Sequence, residues 1–348
     1  MPLAQPPPPK SAELASALAA LLGVPLKQVS VRRADAGWVA SALRHTFALM
    51  WSASSTPGPT SACAALAVEH AKKVSRRAVP VVVAPFLSEA SRGACEAAGA
   101  SFFDLSGNAN LVAPGLRILA QGNPNLFTRP GRPASLFAPK SARVVRWLLM
   151  HPGEAFTQRE IARSTGMTEG FVSRIAAGLE RDSYVTREKV GSGAGPLRVK
   201  DPALLLDAWR DEYEFEKHTL IAGHVAARSG DALTRFVSDR LSASKVEHAA
   251  TGLATAWQMT HFAAFRVATF FVAKPPASSL IEKLGFRQDP RGANLWLVVP
   301  NDEGVLQGSS SRDGVQCVHP VQAYIDLKGH PERAVEAATR LRSEWISP

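Results

Sequence analysis

Between residues 168 and 200 the sequence gathers side chains suited to gripping a polyanion and reading its edges. Thr168, Glu169, Gly170, Ser173 and Arg174 come first, and Arg187, Lys189, Arg198 and Lys200 follow around a glycine-rich stretch. The planar guanidinium of Arg174 matches the O6 and N7 acceptors of guanine, and the Ser173 hydroxyl can bond a phosphate or a base edge. The later cations suit phosphates or a minor groove. Arg181 lies about two turns beyond Arg174 and is expected on DNA backbone or in solvent.

Such groups work only if a rigid element presents them, and residues 141–200 supply one. A first helix carries Val144, Val145, Leu148 and Leu149 at helical spacing, and Pro152 and Gly153 end it. Thr157 followed by Glu160 is a capping-box pattern opening a second helix, 158–164, that buries Ile161 and Ala162. Gly166 marks a tight turn needing positive φ, and Thr168 caps a third helix, 168–181. Val172, Ile175 and Leu179 share its inner face, so the cluster ending at Arg174 faces outward at its N-terminal end, where a recognition helix meets bases. Two strands, 185–190 and 196–200, then flank Gly191, Ser192, Gly193, Ala194 and Gly195 as a basic hairpin. Three helices closed by such a hairpin make a winged helix-turn-helix.

The charge is unevenly spread. Residues 1–140 hold 14 Lys and Arg against 6 Asp and Glu, a net of +8; residues 141–200 carry +4 and residues 201–348 carry −2, within a total of +10. The basic excess therefore lies in and before the winged helix, where a polyanion would sit. The C-terminal part is expected to serve dimerisation, an effector or a protein partner. Cys63, Cys95 and Cys317 are scattered, with neither metal-ligand spacing nor a disulfide framework, which fits a reducing cytoplasm. The opening MPLAQPPPPK is a Pro-rich tail without the apolar core of a signal peptide, and no run of 18 apolar residues predicts a membrane span.

The expected architecture is a multidomain α/β chain: a disordered tail at 1–10, an N-terminal α/β domain at 11–122, a linker at 123–140, the central winged helix-turn-helix at 141–200 and a C-terminal α/β domain at 201–348. In the first domain, helices are predicted at 12–22, 61–76 and 87–98, and strands at 45–51, 79–85, 101–105 and 110–120. In the last, helices are predicted at 201–224, 248–259, 278–284 and 331–345, and strands at 267–273 and 295–300. The linker holds four prolines and the cations Arg129, Arg132 and Lys140.

The phrase FFDLSGNANL at 102–111, the winged helix, and HPVQAYIDLKGHPERAVEAATRLR at 319–342 together resemble the transcriptional-regulator relatives of AbiE-type (type IV) antitoxins. The resemblance implies a winged helix that binds operator DNA and a C-terminal domain with its own task, with an antitoxin-like neutralisation of a partner as the alternative role. In those antitoxins the winged helix is N-terminal, whereas here about 140 residues precede it. The first domain is also similar to a restriction-endonuclease-like fold, which implies a metal-dependent nuclease as a further alternative. That chemistry needs carboxylates for Mg²⁺ and a lysine near the attacking water, as Glu-x-Lys. Met50, Trp51, Ser52 and Ala53 stand at that place, and no carboxylate lies between Asp35 and Glu69. An inactive scaffold is expected.

Other chemistry is set aside on spacing. Asp104, Ser106, Gly107 and Asn108 read as a tight turn between strands. Gly191, Gly193 and Gly195 lack the Lys-Ser/Thr and helix of a phosphate loop, and there is no Gly-x-Ser-x-Gly elbow. His218 and His224 are six apart, His248 and His261 are isolated, and the stretch around Trp257, like Tyr324 and Trp345, reads as core or interface. The expectation is a non-enzymatic, cytoplasmic, homodimeric reader of double-stranded DNA, with no cofactor, metal or membrane contact.

Overall fold

In the computed structural model, residues 7–127, 136–188 and 195–346 are described. They form two compact units, one of Met1–Pro133 with Arg181–Tyr184 and one of Ala134–Glu180 with Val185–Pro348.

The first unit runs α1 (Ser11–Leu22), β1 (Ser30–Arg33), β2 (Trp38–Ala42), β3 (His45–Trp51), α2 (Pro57–Val74), β4 (Val79–Ala84), α3 (Glu89–Ala97), β5 (Ser101–Asp104), β6 (Ala109–Ala113) and β7 (Leu116–Ala120). Its seven described strands form one sheet in sequential order. The strands β3, β4 and β5 are parallel and the outer pairs antiparallel. Parallel strands need crossovers, and α2 and α3 supply them. The alternation along β4 sorts the two faces: Val81 and Val83 pack with Leu14 and Leu18 of α1, while Val82 and Ala84 pack with Ala64, Ala67 and Cys95 of α2 and α3. The sheet is thus sandwiched between helices.

The second unit opens with α4 (Ala142–Met150), β8 (Ala155–Phe156), α5 (Gln158–Thr165), α6 (Glu169–Arg181), β9 (Val185–Arg187) and β10 (Leu197–Val199). The three strands pair in the order β8-β10-β9. It continues with α7 (Pro202–Glu212), β11 (Thr219–His224), α8 (Gly230–Ala243), β12 (His248–Thr251), α9 (Gly252–Thr260), β13 (Ala268–Val272), α10 (Ser278–Leu284), β14 (Arg287–Gln288), β15 (Leu295–Val299), β16 (Ser310–Arg312), β17 (Val315–Cys317), α11 (Pro320–Asp326) and α12 (Ala334–Leu341). A mixed sheet ordered β14-β11-β15-β13-β12-β17-β16 forms among these described residues.

Several expectations are corrected. The helix expected over 201–224 stops at Glu212, and Thr219–His224 is strand, hydrogen-bonded along its length to β15. The helix expected over 248–259 begins as strand: His248–Thr251 is buried throughout and pairs with β13 on one side and β17 on the other. Sheet pairing there overrides the helix propensity of alanine. Gly252, at φ +56°, makes the switch into α9. The strand expected at 110–120 is a hairpin, folded at Gly115 with φ +74°. The final helix, expected over 331–345, begins at Ala334 and continues past Leu341 as a π-helical turn over Arg342–Ile346, and β1, β2, β8, α8, β14, β16 and β17 carry no counterpart among the predicted elements.

Candidate nucleic-acid interface

The capping box at Thr157 forms in full: Thr157 Oγ1 accepts from the Glu160 amide at 3.3 Å, and Glu160 Oε2 accepts from the Thr157 amide at 2.7 Å. These bonds hold the Glu160 carboxyl below its ordinary range. Gly166 closes α5 with φ +65°, and Thr168 Oγ1 accepts from the Phe171 amide at 3.3 Å to start α6. Val172, Ile175 and Leu179 are buried. The opposite face is thereby fixed outward, with Thr168, Glu169, Gly170 and Arg174 exposed and Ser173 half-buried.

Sequence reasoning overlooked what surrounds that face. The Phe171 ring lies between two cations, Arg174 at 5.6 Å and Lys140 at 5.9 Å from its centroid, near the limit of cation–π attraction. On α5, Arg159 reaches Glu169 at 3.1 Å, and Arg163 is exposed. In this motif the helix before the recognition helix crosses the phosphate backbone, so Arg159 and Arg163 occupy a place where cations count. Their signal in the sequence was plain: two arginines four apart on a short helix whose inner face is Ile161 and Thr165.

The wing cations differ among themselves. Arg187 is turned inward: its Nε donates to Glu180 Oε2 at 2.8 Å, and Gln158, with its amide oxygen toward Arg187, accepts from both terminal nitrogens at 2.8 and 2.9 Å. Arg198 pairs with Glu188 across the hairpin at 2.7 Å and also donates to the Gly153 carbonyl. Lys200 is exposed at the end of β10. Lys189, with Gly191, Ser192, Gly193 and Ala194 of the wing tip, lies outside the described residues.

Behind the winged helix sits a second polar assembly that the sequence did not reveal. Arg146, in the middle of α4, is buried, and its Nε and Nη2 donate to Gln322 Oε1 at 3.0 and 2.6 Å. The other end of the Gln322 amide donates to Asp326 Oδ1 at 2.8 Å. Asp326 also accepts from the hydroxyls of Tyr213 and Thr251. His218 Nδ1 accepts from the Asn301 amide at 3.1 Å, so Nε2 carries the proton and donates to the Tyr213 oxygen at 2.9 Å. One directed chain of donors therefore runs from His218 through Tyr213 to Asp326, and a second from Arg146 through Gln322 to the same carboxyl. Burial pushes Asp326 up to about 7 against the pull of these donors. Burial also lowers Arg146 to about 10 and His218 to about 4. One turn earlier, Arg143 forks onto Asp302 at 2.7 and 2.8 Å. Helix α4 is thus bonded to residues 302–326 by two arginines.

Asp104, expected in a turn, is the hub of one: its carboxylate accepts from the amides of Leu87, Ser106 and Asn108 at 2.9, 3.0 and 2.8 Å. The Asn108 side chain donates to the Asn123 carbonyl at 3.2 Å and accepts from its amide at 3.0 Å, and the Asn123 side chain donates to the Gly107 carbonyl at 2.8 Å, tying the start of the expected linker to the first unit. Among the described residues, no three His, Cys, Asp or Glu side chains come together as a metal site. No described helix is long and apolar enough to cross a membrane.

Residues 137–194 match the model of the MarR family. The matched segment is the winged helix, which supports a winged helix-turn-helix regulator. No curated protein and no solved structure matches the chain.

Proposed function

We propose that the protein is a sequence-specific, double-stranded DNA-binding transcriptional regulator that reads the major groove with α6. One observation carries this: in a MarR-like winged helix, the N-terminal face of α6 is outward and exposed at Thr168, Glu169, Gly170 and Arg174, with Lys140 and Arg159 beside it and Arg163 exposed on the preceding helix. A major groove about 12 Å wide admits one helix, and the cations beside it meet flanking phosphates. Lys200 and the outer wing supply phosphate or minor-groove contacts, with Arg198 available by exchange of Glu188 for phosphate. Arg187 instead shapes the wing. One helix reads only a few base pairs, so a homodimer on paired half-sites supplies specificity. The C-terminal part of the second unit receives an effector or partner, and the antitoxin-like role rests on the resemblance of residues 102–111 and 319–342.

Binding of the full chain to its own upstream DNA, against a scrambled duplex, across a salt series with and without Mg²⁺, tests this. Specific, uncut complexes with a steep salt dependence support it. Cleavage in Mg²⁺ returns the first unit to nuclease chemistry. Equal binding to both duplexes removes α6 as a reader of sequence.

A further inference from the structure

The topology of the first unit collects six of its cations at one end. The strands β3, β4 and β5 are parallel, so the start of each lies at the same end of the sheet. The β2–β3 turn, with Arg44, is there because Ala42 pairs with His45. The entry to β1, with Lys27, is there because Ser30 pairs with Ser41. Helix α2 ends there and delivers Lys72, Lys73, Arg76 and Arg77 just before β4. All six side chains are exposed. Of the acidic neighbours, Glu96 is engaged with Asn110 at 2.8 Å, while Glu69 pairs with Lys72 at 2.7 Å, so Lys72 meets phosphate by exchange of that partner. The opposite end of the sheet carries Asp35 and Glu89 together with Arg33 and Arg92, with no net excess of either sign among these four.

The helix dipole accounts for only part of this. Lys72 and Lys73 lie in the last turn of α2, where cations are favoured. Arg76 and Arg77 follow the helix, and Arg44 and Lys27 come from other elements. At a strand spacing of about 4.8 Å, the four strands β1 to β4 spread these charges over roughly 15 Å. That length of duplex presents about nine phosphate charges.

We infer that this basic end of the first unit binds the phosphate backbone of duplex DNA, adding affinity without adding sequence preference. The inference rests on the DNA-binding reading above. Leu26 and Leu43, exposed at the same end, give the alternative of an anionic membrane surface its only support.

The test compares the full wild-type chain, a variant carrying Lys72→Gln, Lys73→Gln, Arg76→Gln and Arg77→Gln, and Arg174→Ala. Each is titrated with a 40-bp upstream duplex and a 40-bp scrambled duplex across a salt series. Each is also mixed with vesicles of phosphatidylcholine containing phosphatidylserine. The exposed positions leave the fold intact, as circular dichroism will verify. The quadruple variant is expected to bind both duplexes at least tenfold more weakly at 0.1 M salt, with the log–log salt slope shallower by about two to three. Its preference for the upstream duplex should be unchanged. Arg174→Ala should do the reverse, losing preference while largely keeping slope. An unchanged slope in the quadruple variant, with wild type binding normally, overturns the inference and leaves the reading of α6 standing. Vesicle binding that the variant loses, with DNA slope unchanged, reassigns the patch to membrane. Failure of wild type to bind either duplex removes both proposals.

Discussion

Arg174 and Arg187 carry the same guanidinium into opposite situations. Arg174 is exposed beside Phe171, with its fork open, whereas Arg187 is held by Glu180 and Gln158. Arg174→Ala is expected to cost about 1–3 kcal/mol of specific binding and to relax preference at a single base position, read by titrating a set of singly substituted duplexes. Arg187→Ala is expected to leave the salt slope of binding unchanged and to lower stability by about 1 kcal/mol, seen as a shifted denaturation midpoint. A parallel loss of slope would show that Arg187 leaves its internal partners to meet phosphate. Gly166 is a backbone requirement of another kind: a Cβ would meet open space, but φ is +65°. Gly166→Ala should therefore destabilise the turn by about 1–2 kcal/mol through conformation alone.

At the scale of elements, α4 is the piece whose surroundings the sequence concealed. Its apolar spacing, the capping box at Thr157 and the turn at Gly166 were all legible, because local chemistry decides them. So were β3, β4 and α10, whose apolar runs are bounded by clear breaks. The Arg146–Gln322–Asp326 assembly was not legible, because its partners lie far apart in the chain and only tertiary packing joins them. A faint signal existed: Arg146 sits inside the apolar run ARVVRWLLM, and Gln322 and Asp326 are four apart in the otherwise apolar PVQAYID. The strand at His248–Thr251 was hidden for a related reason, since its identity is set by neighbours on both sides rather than by its alanines. Gln322→Leu would leave Arg146 buried with no acceptor, and the second unit should lose about 3 kcal/mol or more in chemical denaturation. The buried histidines set a pH dependence. His218 and His319 are lowered by burial from 6.5 to about 4, so between pH 4 and 6.5 the unfolded chain binds more protons and stability rises with pH. Asp326, raised by burial from 3.8 to about 7, acts oppositely between those values, because there the folded chain holds the extra proton. The net rise should steepen in Asp326→Asn, as urea midpoints across pH 4 to 6.5 would show.

For the whole molecule, the distribution of charge separates tasks. Residues 1–200 carry +12 and residues 201–348 carry −2. A protein that neutralises six to ten phosphates loses roughly 10³- to 10⁵-fold in affinity between 50 and 200 mM salt. A loss in that range is expected for the full chain, and a slope corresponding to one or two phosphates would exclude an extended interface. Dimeric reading makes a geometric demand as well. Adding about 5 bp between half-sites turns them to opposite faces of the duplex, so tight binding should vanish, and adding about 10 bp should restore part of it. Sedimentation of the free chain at graded concentrations tests the proposed dimer directly.

The bonds between α4 and α11 also impose a schedule on synthesis. Arg146 and Gln322 are 176 residues apart. At about 5–20 residues per second, the ribosome makes the arginine roughly 10 to 35 s before its acceptor exists. During that interval a helix meant to be buried carries a charge with nothing to receive it. The nascent winged helix is therefore expected to stay open, and vulnerable to proteases and chaperones, until α11 emerges. A chain stopped before Gln322 should be cleared by the cell, which keeps incomplete copies from competing with whole ones.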